Sequence, residues 1–453
     1  MTNIGRYAFS GCTSLTTITI PENSQLTSIG DGAFHDCRNL TSIVLSKNIM
    51  SIGSSAFSNC SKLTTINIPE GVTNIEDSTF TTCTSLTSIN IPDSVTSIGS
   101  SAFYGCSNLS SINIPDSVTK IKSRAFRGCS SLTSINIPEN VTSIDSYAFE
   151  NCNNLTTVYI SSIEAWCNID FGSPSANPLY YVNNLYINGE LVTEFVIPNS
   201  VTAIKGYAFC GCKSLTSITI PESVTKIGSS AFSSCTGELI INCNIPASSS
   251  YSSGAFYNSH FSKVSIGNNV TSIGSYAFYN CSSLTNITLS ENVTSIGNEA
   301  FRSCDNLTDI TLPEGVKIIG SEAFYYCSSL TTISIPESVT NIGYGAFSGC
   351  ERLTSITIPE NITSINNNTF RDCSNIVAIT IPSGVTSIDN YAFSGCSNLS
   401  SITSKAITPP YVSATNTFNN VDKSIPVYVP AESVDAYKAA NVWKDFTNIQ
   451  PIE

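Results

Sequence analysis

Charge is what this chain has least of. Only 12% of its 453 residues are Asp, Glu, Lys or Arg, about half the share of an ordinary globular protein. The apolar fraction is ordinary at 41%, so the surface must be polar without being charged, and Ser, Thr and Asn crowd every row. Acidic residues outnumber basic ones 33 to 20, and the net charge of −13 argues against nucleic acid or an anionic membrane as partner. Two His leave little room for imidazole chemistry. No apolar run approaches the ~18 residues of a transmembrane helix, so no membrane insertion is expected. The opening Met-Thr-Asn-Ile-Gly-Arg has no basic and apolar stretch to read as a signal peptide.

Cysteine is the exception to this sparseness. Fifteen of the 18 Cys stand three residues after a Phe, from Cys12 to Cys396, and most neighbours are 23 residues apart. The chain is a repeat array.

One unit runs Leu86-x-x-Ile89-x-Ile91-Pro92-x-x-Val95-x-x-Ile98-x-x-x-Ala102-Phe103-x-x-Cys106-x-x-Leu109. Ile89 and Ile91 alternate with polar residues, as in a half-buried strand. Pro92 has no N–H for the ladder and ends that strand. Ile98, Ala102, Phe103 and Cys106 then follow the spacing of a short helical turn. Each coil hides its apolar side only by stacking on its neighbours.

The strand pattern Leu-x-x-Ile-x-Ile is the leucine-rich repeat signature. Its continuation through Ile-Pro, Val-x-x-Ile and Ala-Phe-x-x-Cys resembles the BspA-like class of these repeats. Sixteen coils carry the marker Phe, from Phe9 to Phe393. The resemblance implies a leucine-rich repeat solenoid, β-rich and horseshoe-like. It would be a curved right-handed rod with a parallel β-sheet on one face and short helical turns on the other. At ~4.8 Å per coil the rod would be on the order of 80 Å long.

Residues 1–160 read as coils, 161–198 as an irregular insertion, and 199–403 as further coils with an irregular one at 236–262. A degenerate coil and a strand-helix cap fill 404–453, with Val434, Tyr437, Trp443 and Phe446 expected inward. In the insertion, Ile163 to Cys167 reads as a helical turn, and Asn188-Gly189 as a hairpin turn. The coil begins almost at Met1, so we expect a piece of a longer protein with a signal peptide and cap upstream.

The Cys ladder reads as core filling: buried free Cys behaves as a small hydrophobe, and pairing would strain the strand spacing. Cys167, Cys210 and Cys243 lie off the ladder and read as incidental exposed thiols. His35 and His260, about 40 Å apart along such a stack, share no centre. Acidic residues recur after the coil's Pro: Glu70, Asp93, Asp116, Glu139, Glu291, Glu314, Glu337 and Glu360. We read them as a solvated turn column rather than a calcium ladder, with like-charge stacking expected to raise their pKa values. No catalytic residue, metal ligand or cofactor site is assigned.

The outward strand columns are small and polar, such as Ser88, Ser111 and Ser134 beside Asn90, Asn113 and Asn136, apart from Tyr159 and Asp309. Anchors for a tight interface are Trp, Tyr and Arg. The insertion holds such a cluster, so Trp166, Tyr180, Tyr181 and Tyr186, with Tyr159, are the candidate partner-binding residues.

The expected function is a non-enzymatic cell-surface adhesion scaffold, monomeric, presenting its repeats to a protein or glycan of host matrix or other cells. Surface adherence is what the BspA-like resemblance implies. The alternatives are an intracellular or secreted scaffold, an enzyme with its site in 161–198, and a lattice-matching face such as an ice binder.

Overall fold

The computed structural model describes residues 2–182 and 184–452. The chain divides into two compact units, Met1–Thr193 with Ala203–Leu215, and Glu194–Thr202 with Thr216–Glu453. Both are parallel β-solenoids whose coils have three sides.

The first side is the expected strand. In the first unit, Ser134–Ile137 pairs in parallel with Thr157–Ile160, and that strand with Asn184–Ile187, residue for residue. Their inward side chains are buried, including Ile135, Ile137, Val158 and Ile160. In the second unit the front sheet runs from Glu194–Val196 through Ser217–Ile220, Thr236–Ile241 and His260–Ile266 to Thr332–Ser334.

The second side is a parallel sheet of two-residue strands that the periodicity did not signal. Asn74–Ile75, Ser97–Ile98, Lys120–Ile121, Ser143–Ile144 and Asp170–Phe171 form one such sheet. Two residues are too few for a visible alternation.

The third side carries the turns around the marker Phe. They do not continue into helix. Each is closed by a three-residue bond, such as Cys106 N–H to Phe103 C=O at 3.1 Å. Left-handed residues interrupt them, here Ser101 (φ 55°) and Gly105 (φ 70°). That backbone turns N–H groups along the stack, so Ser101, Phe103 and Gly105 donate to Ser123, Ala125 and Arg127 of the next coil, each at 2.8 Å. The cost of left-handed backbone, ~1–2 kcal/mol per non-Gly residue, is offset by these intercoil bonds and by burial of the ring. Phe9, Phe34, Phe57, Phe80, Phe103, Phe126 and Phe149 stack at 5.3–5.7 Å between centroids. A second column runs from Phe232 through Phe256 and Phe278 to Phe418.

The C-terminal cap closes that second column. Trp443 and Phe446 pack on Phe418, at 5.6 and 5.3 Å between centroids. The expected single helix is broken: Val434–Ala439 is α-helical, Val442 takes φ 68°, and Trp443–Asp445 is a 3-10 turn. The break lets Tyr437 and Trp443 both turn inward, where they donate to the carbonyls of Ala406 (2.8 Å) and Pro410 (2.9 Å). Val434 itself is only half-buried.

Candidate binding surface

The irregular segment at 161–198 forms a coil in its own right. Ile163–Cys167 is a helix capped by Ser162, whose Oγ accepts from Ala165 N–H at 3.1 Å. Asp170–Phe171 joins the second sheet and Asn184–Ile187 the front sheet. Asn188 (φ 52°) and Gly189 (φ 85°) then turn the chain back into the antiparallel strand Glu190–Leu191. Two consecutive left-handed residues are what a tight hairpin requires.

This coil lacks a Phe turn, and the carbonyl of Ala208 would lose the donor that Phe N–H supplies elsewhere. Trp166 Nε1 (2.7 Å) and Asn177 Nδ2 (2.8 Å) donate to it instead. Both side chains are buried, Trp166 at 1% exposure. Trp166 is therefore a core residue, not a surface anchor, which corrects the expectation from sequence. The remaining candidates do not converge. Tyr159 and Tyr186 are paired on the front sheet at 5.1 Å. Tyr180 and Tyr181 meet edge to face at 5.3 Å beside the turn of Gly211.

The cysteines form a bonded column. Cys106 Sγ donates to Phe80 C=O at 3.1 Å, and the same contact recurs from Cys37 to Cys396 at 3.0–3.2 Å. All 18 thiols are unpaired by disulfides, and only Cys12 is exposed. Cys167, Cys210 and Cys243 are buried, contrary to expectation, because each lies on an inward position of an irregular coil or turn.

The acidic column also differs. Glu337 accepts the Glu360 N–H at 2.9 Å, so one turn caps the next. Hydrogen bonding to Lys405, together with the Ser383 N–H, holds the Glu360 carboxyl below its ordinary range, where a rise was expected. Among the described residues no three His, Cys, Asp or Glu side chains form a metal-holding group. His35 lies 3.5 Å from Asp36, and His260 3.4 Å from Ser283.

On the front of the second unit the polar columns are less uniform than expected. Glu194, Glu238, Lys263 and Asp309 fall in one register, with Lys263 3.8 Å from Glu238.

A larger aromatic cluster stands on the turn side of that unit. The residue after the marker Phe is Tyr257, Tyr279, Arg302 and Tyr325 in successive coils. The left-handed residue before it is Tyr276 (φ 60°), Glu299 (φ 53°) and Glu322 (φ 53°), placed at the outside of the turn. Arg302 sits over the rings of Tyr279 and Tyr325, 5.6 and 4.5 Å from their centroids. It pairs with Glu299 at 3.1 Å and with Glu322. Burial and the nearby charge of Glu299 push the Tyr276 phenol up, and the charge of Glu322 does the same to Tyr344. Burial pushes the Glu322 carboxyl up, against the pull of Arg302. Tyr251 packs on Tyr257 and Tyr279 at 6.1 and 5.5 Å, and Tyr326 on Tyr325 at 4.4 Å. Tyr251, Tyr344 and Tyr326 remain 54%, 49% and 47% exposed, respectively. The signal in the sequence is a 22- or 23-residue recurrence of aromatics, and variation at that position from coil to coil obscures it.

Comparison with known proteins agrees with the coil geometry. The BspA type leucine-rich repeat region, in six copies, matches residues 1–107, 73–171, 182–305, 249–377 and 317–429. The chain belongs to the BspA-type leucine-rich repeat family. A leucine-rich repeat protein of Bacteroides ovatus is 29% identical, with a TM-score of 0.52, over 76% of this chain and 88% of that one. A leucine rich cell surface protein of Faecalibacterium prausnitzii is 30% identical over 79% of this chain and 82% of its own, with a TM-score of 0.34. No curated protein matches the chain. Among the described residues of this BspA-type chain, no helix is long and apolar enough to cross a membrane.

Proposed function

We propose that this BspA-type chain is a non-enzymatic binding scaffold displayed at a cell surface, where it adheres to host matrix proteins or other cells. The observation that carries the reading is the tyrosine and arginine cluster of residues 251–344, exposed on coils otherwise covered by Ser, Thr and Asn. Rigid aromatic rings set among small polar residues make a contact surface that loses little conformational entropy on binding. Membership of the BspA-type family, which implies surface adherence, supports the location. The segment at 161–198 offers less, since Trp166 and Asn177 are engaged in holding Ala208.

The test is display of the chain on a non-adherent bacterium, with counts of cells retained on collagen, laminin, fibronectin and epithelial monolayers. Retention above the empty display strain on any of these supports adhesion. Retention equal to that strain on all four overturns it.

A further inference from the structure

On the turn side of both units, guanidinium groups sit on tyrosine rings. Arg124 lies 5.7 Å from the centroid of Tyr147, Arg127 5.8 Å from Tyr104, and Arg371 5.4 Å from Tyr391. Arg302 has two rings, Tyr279 and Tyr325, and two carboxylates, Glu299 and Glu322. A cation is drawn to the negative face of an aromatic ring, more strongly when water is excluded. At Arg127, which pairs with Glu150, and at Arg302 the same chemistry recurs: ring, cation and carboxylate on adjacent coils.

Other tyrosines lack such a cation, and three of them stand exposed around Arg302. Among the described residues no cation sits over Tyr251, Tyr326 or Tyr344, although all three are exposed and border the Arg302 network. The charge around them is also unbalanced. On the turn side the carboxylates of Glu299 and Glu322 share the one guanidinium of Arg302. Open ring faces beside surplus negative charge complement a surface that brings its own guanidinium or ammonium groups.

We propose that the tyrosine face of residues 251–344 docks a protein segment rich in Arg and Lys, whose cations occupy the open rings of Tyr251, Tyr326 and Tyr344. The inference rests on the binding-scaffold reading and adds the chemistry of the partner. The rings act as anchors, and the acidic surroundings orient the approach of the basic segment.

The probe is a phage-displayed library of random twelve-residue peptides, selected on the immobilised full chain and followed by titration of the enriched peptides. Enriched sequences should carry an excess of Arg and Lys, and their affinity should weaken as salt is raised. In the variant Tyr251→Ser/Tyr326→Ser/Tyr344→Ser the affinity should fall at least tenfold, about 1.4 kcal/mol. Tyr7→Ser/Tyr411→Ser, on tyrosines exposed outside this face, is the control and should bind like the parent. Circular dichroism melting establishes that both variants remain folded. The proposal is overturned by a selection without basic enrichment or without any enrichment, or by a triple variant that binds like the parent. A glycan array whose hits are lost in the triple variant, with no peptide selected, would assign the face to carbohydrate and equally overturn it. Basic peptides that bind through the three rings while displaying cells fail to adhere would leave this face standing and remove the adhesion reading. Adhesion and peptide binding that both survive in the triple variant would do the opposite.

Discussion

The thiol of Cys106 points at the carbonyl oxygen of Phe80 on the preceding coil, 3.1 Å away. That carbonyl also accepts the Cys83 N–H at 3.1 Å, so the Sγ–H supplies a second donor to an oxygen buried beside the ring stack. An oxygen with two lone pairs can use both, and Cys is small enough to deliver a donor without disturbing the apolar column. Each coil is thereby tied to the previous one by a side chain that counts as core.

Thiol accessibility follows directly. Of the 18 thiols only Cys12 is exposed, and burial raises column members such as Cys83 and Cys129. A thiol reagent at neutral pH should modify one Cys in the native chain and all 18 after denaturation, because the thiolate is the nucleophile. Native modification of most thiols, or blocked thiols in denatured, unreduced protein, would contradict the structure.

Alkaline stability should be poor. Burial pushes Cys60, Cys106, Cys152 and Cys396 up to about 12 from the ordinary thiol value of 9.0. Above pH 9 the unfolded chain releases thiol protons that the folded chain keeps, so stability falls as pH rises. The contribution is intact below pH 9, and each buried thiol removes about 1.4 kcal/mol per pH unit above it. Urea melts should therefore show a midpoint unchanged from pH 7 to 8 and dropping steeply between pH 9 and 11. A flat profile to pH 11 would show that the thiols are not buried as described.

Two glycines separate backbone conformation from packing. At Gly189 (φ +85°) an added methyl group would meet nothing within 4 Å, whereas at Gly211 (φ +87°) it would lie 2.6 Å from the Tyr180 Cα. Gly189→Ala should cost about 1 kcal/mol, the left-handed penalty alone. Gly211→Ala adds overpacking against backbone and should cost on the order of 3 kcal/mol. Equal losses in denaturant titrations would mean that the close approach of the two coils is absent.

The tryptophan of the irregular coil should behave as core. Trp166→Phe removes the bond to Ala208 and leaves a gap, for a loss of roughly 2 kcal/mol. Tyr180→Ser, on the exposed neighbour, should stay within about 0.5 kcal/mol. Indole fluorescence of the parent should resist aqueous quenchers, since Trp443 is also fully buried. Strong quenching in the native state would return Trp166 to the surface.

Much of this architecture is legible in the residues. The Phe–Cys period identifies the stack, Ile-x-Ile followed by Pro marks the front strand, and Asn188-Gly189 marks the hairpin. The second sheet escapes notice because a pair such as Ser97–Ile98 is too short for a periodic pattern. Trp166 misleads because an aromatic outside the repeat looks free, while its task is to replace a missing backbone donor. Tyr279, Arg302 and Tyr325 are overlooked for the opposite reason: they occupy a position that varies from coil to coil.

The sequence by itself determined the coil, because burying one Phe, one Cys and a few Ile per 23 residues admits only a stacked arrangement. Tertiary structure alone decided which aromatics face solvent. Side-chain direction on the turn side depends on left-handed backbone at residues such as Tyr276 and Glu322, and composition does not encode that choice. It arises where Phe N–H groups must find carbonyls one coil away, and that bonding turns the intervening side chains outward together.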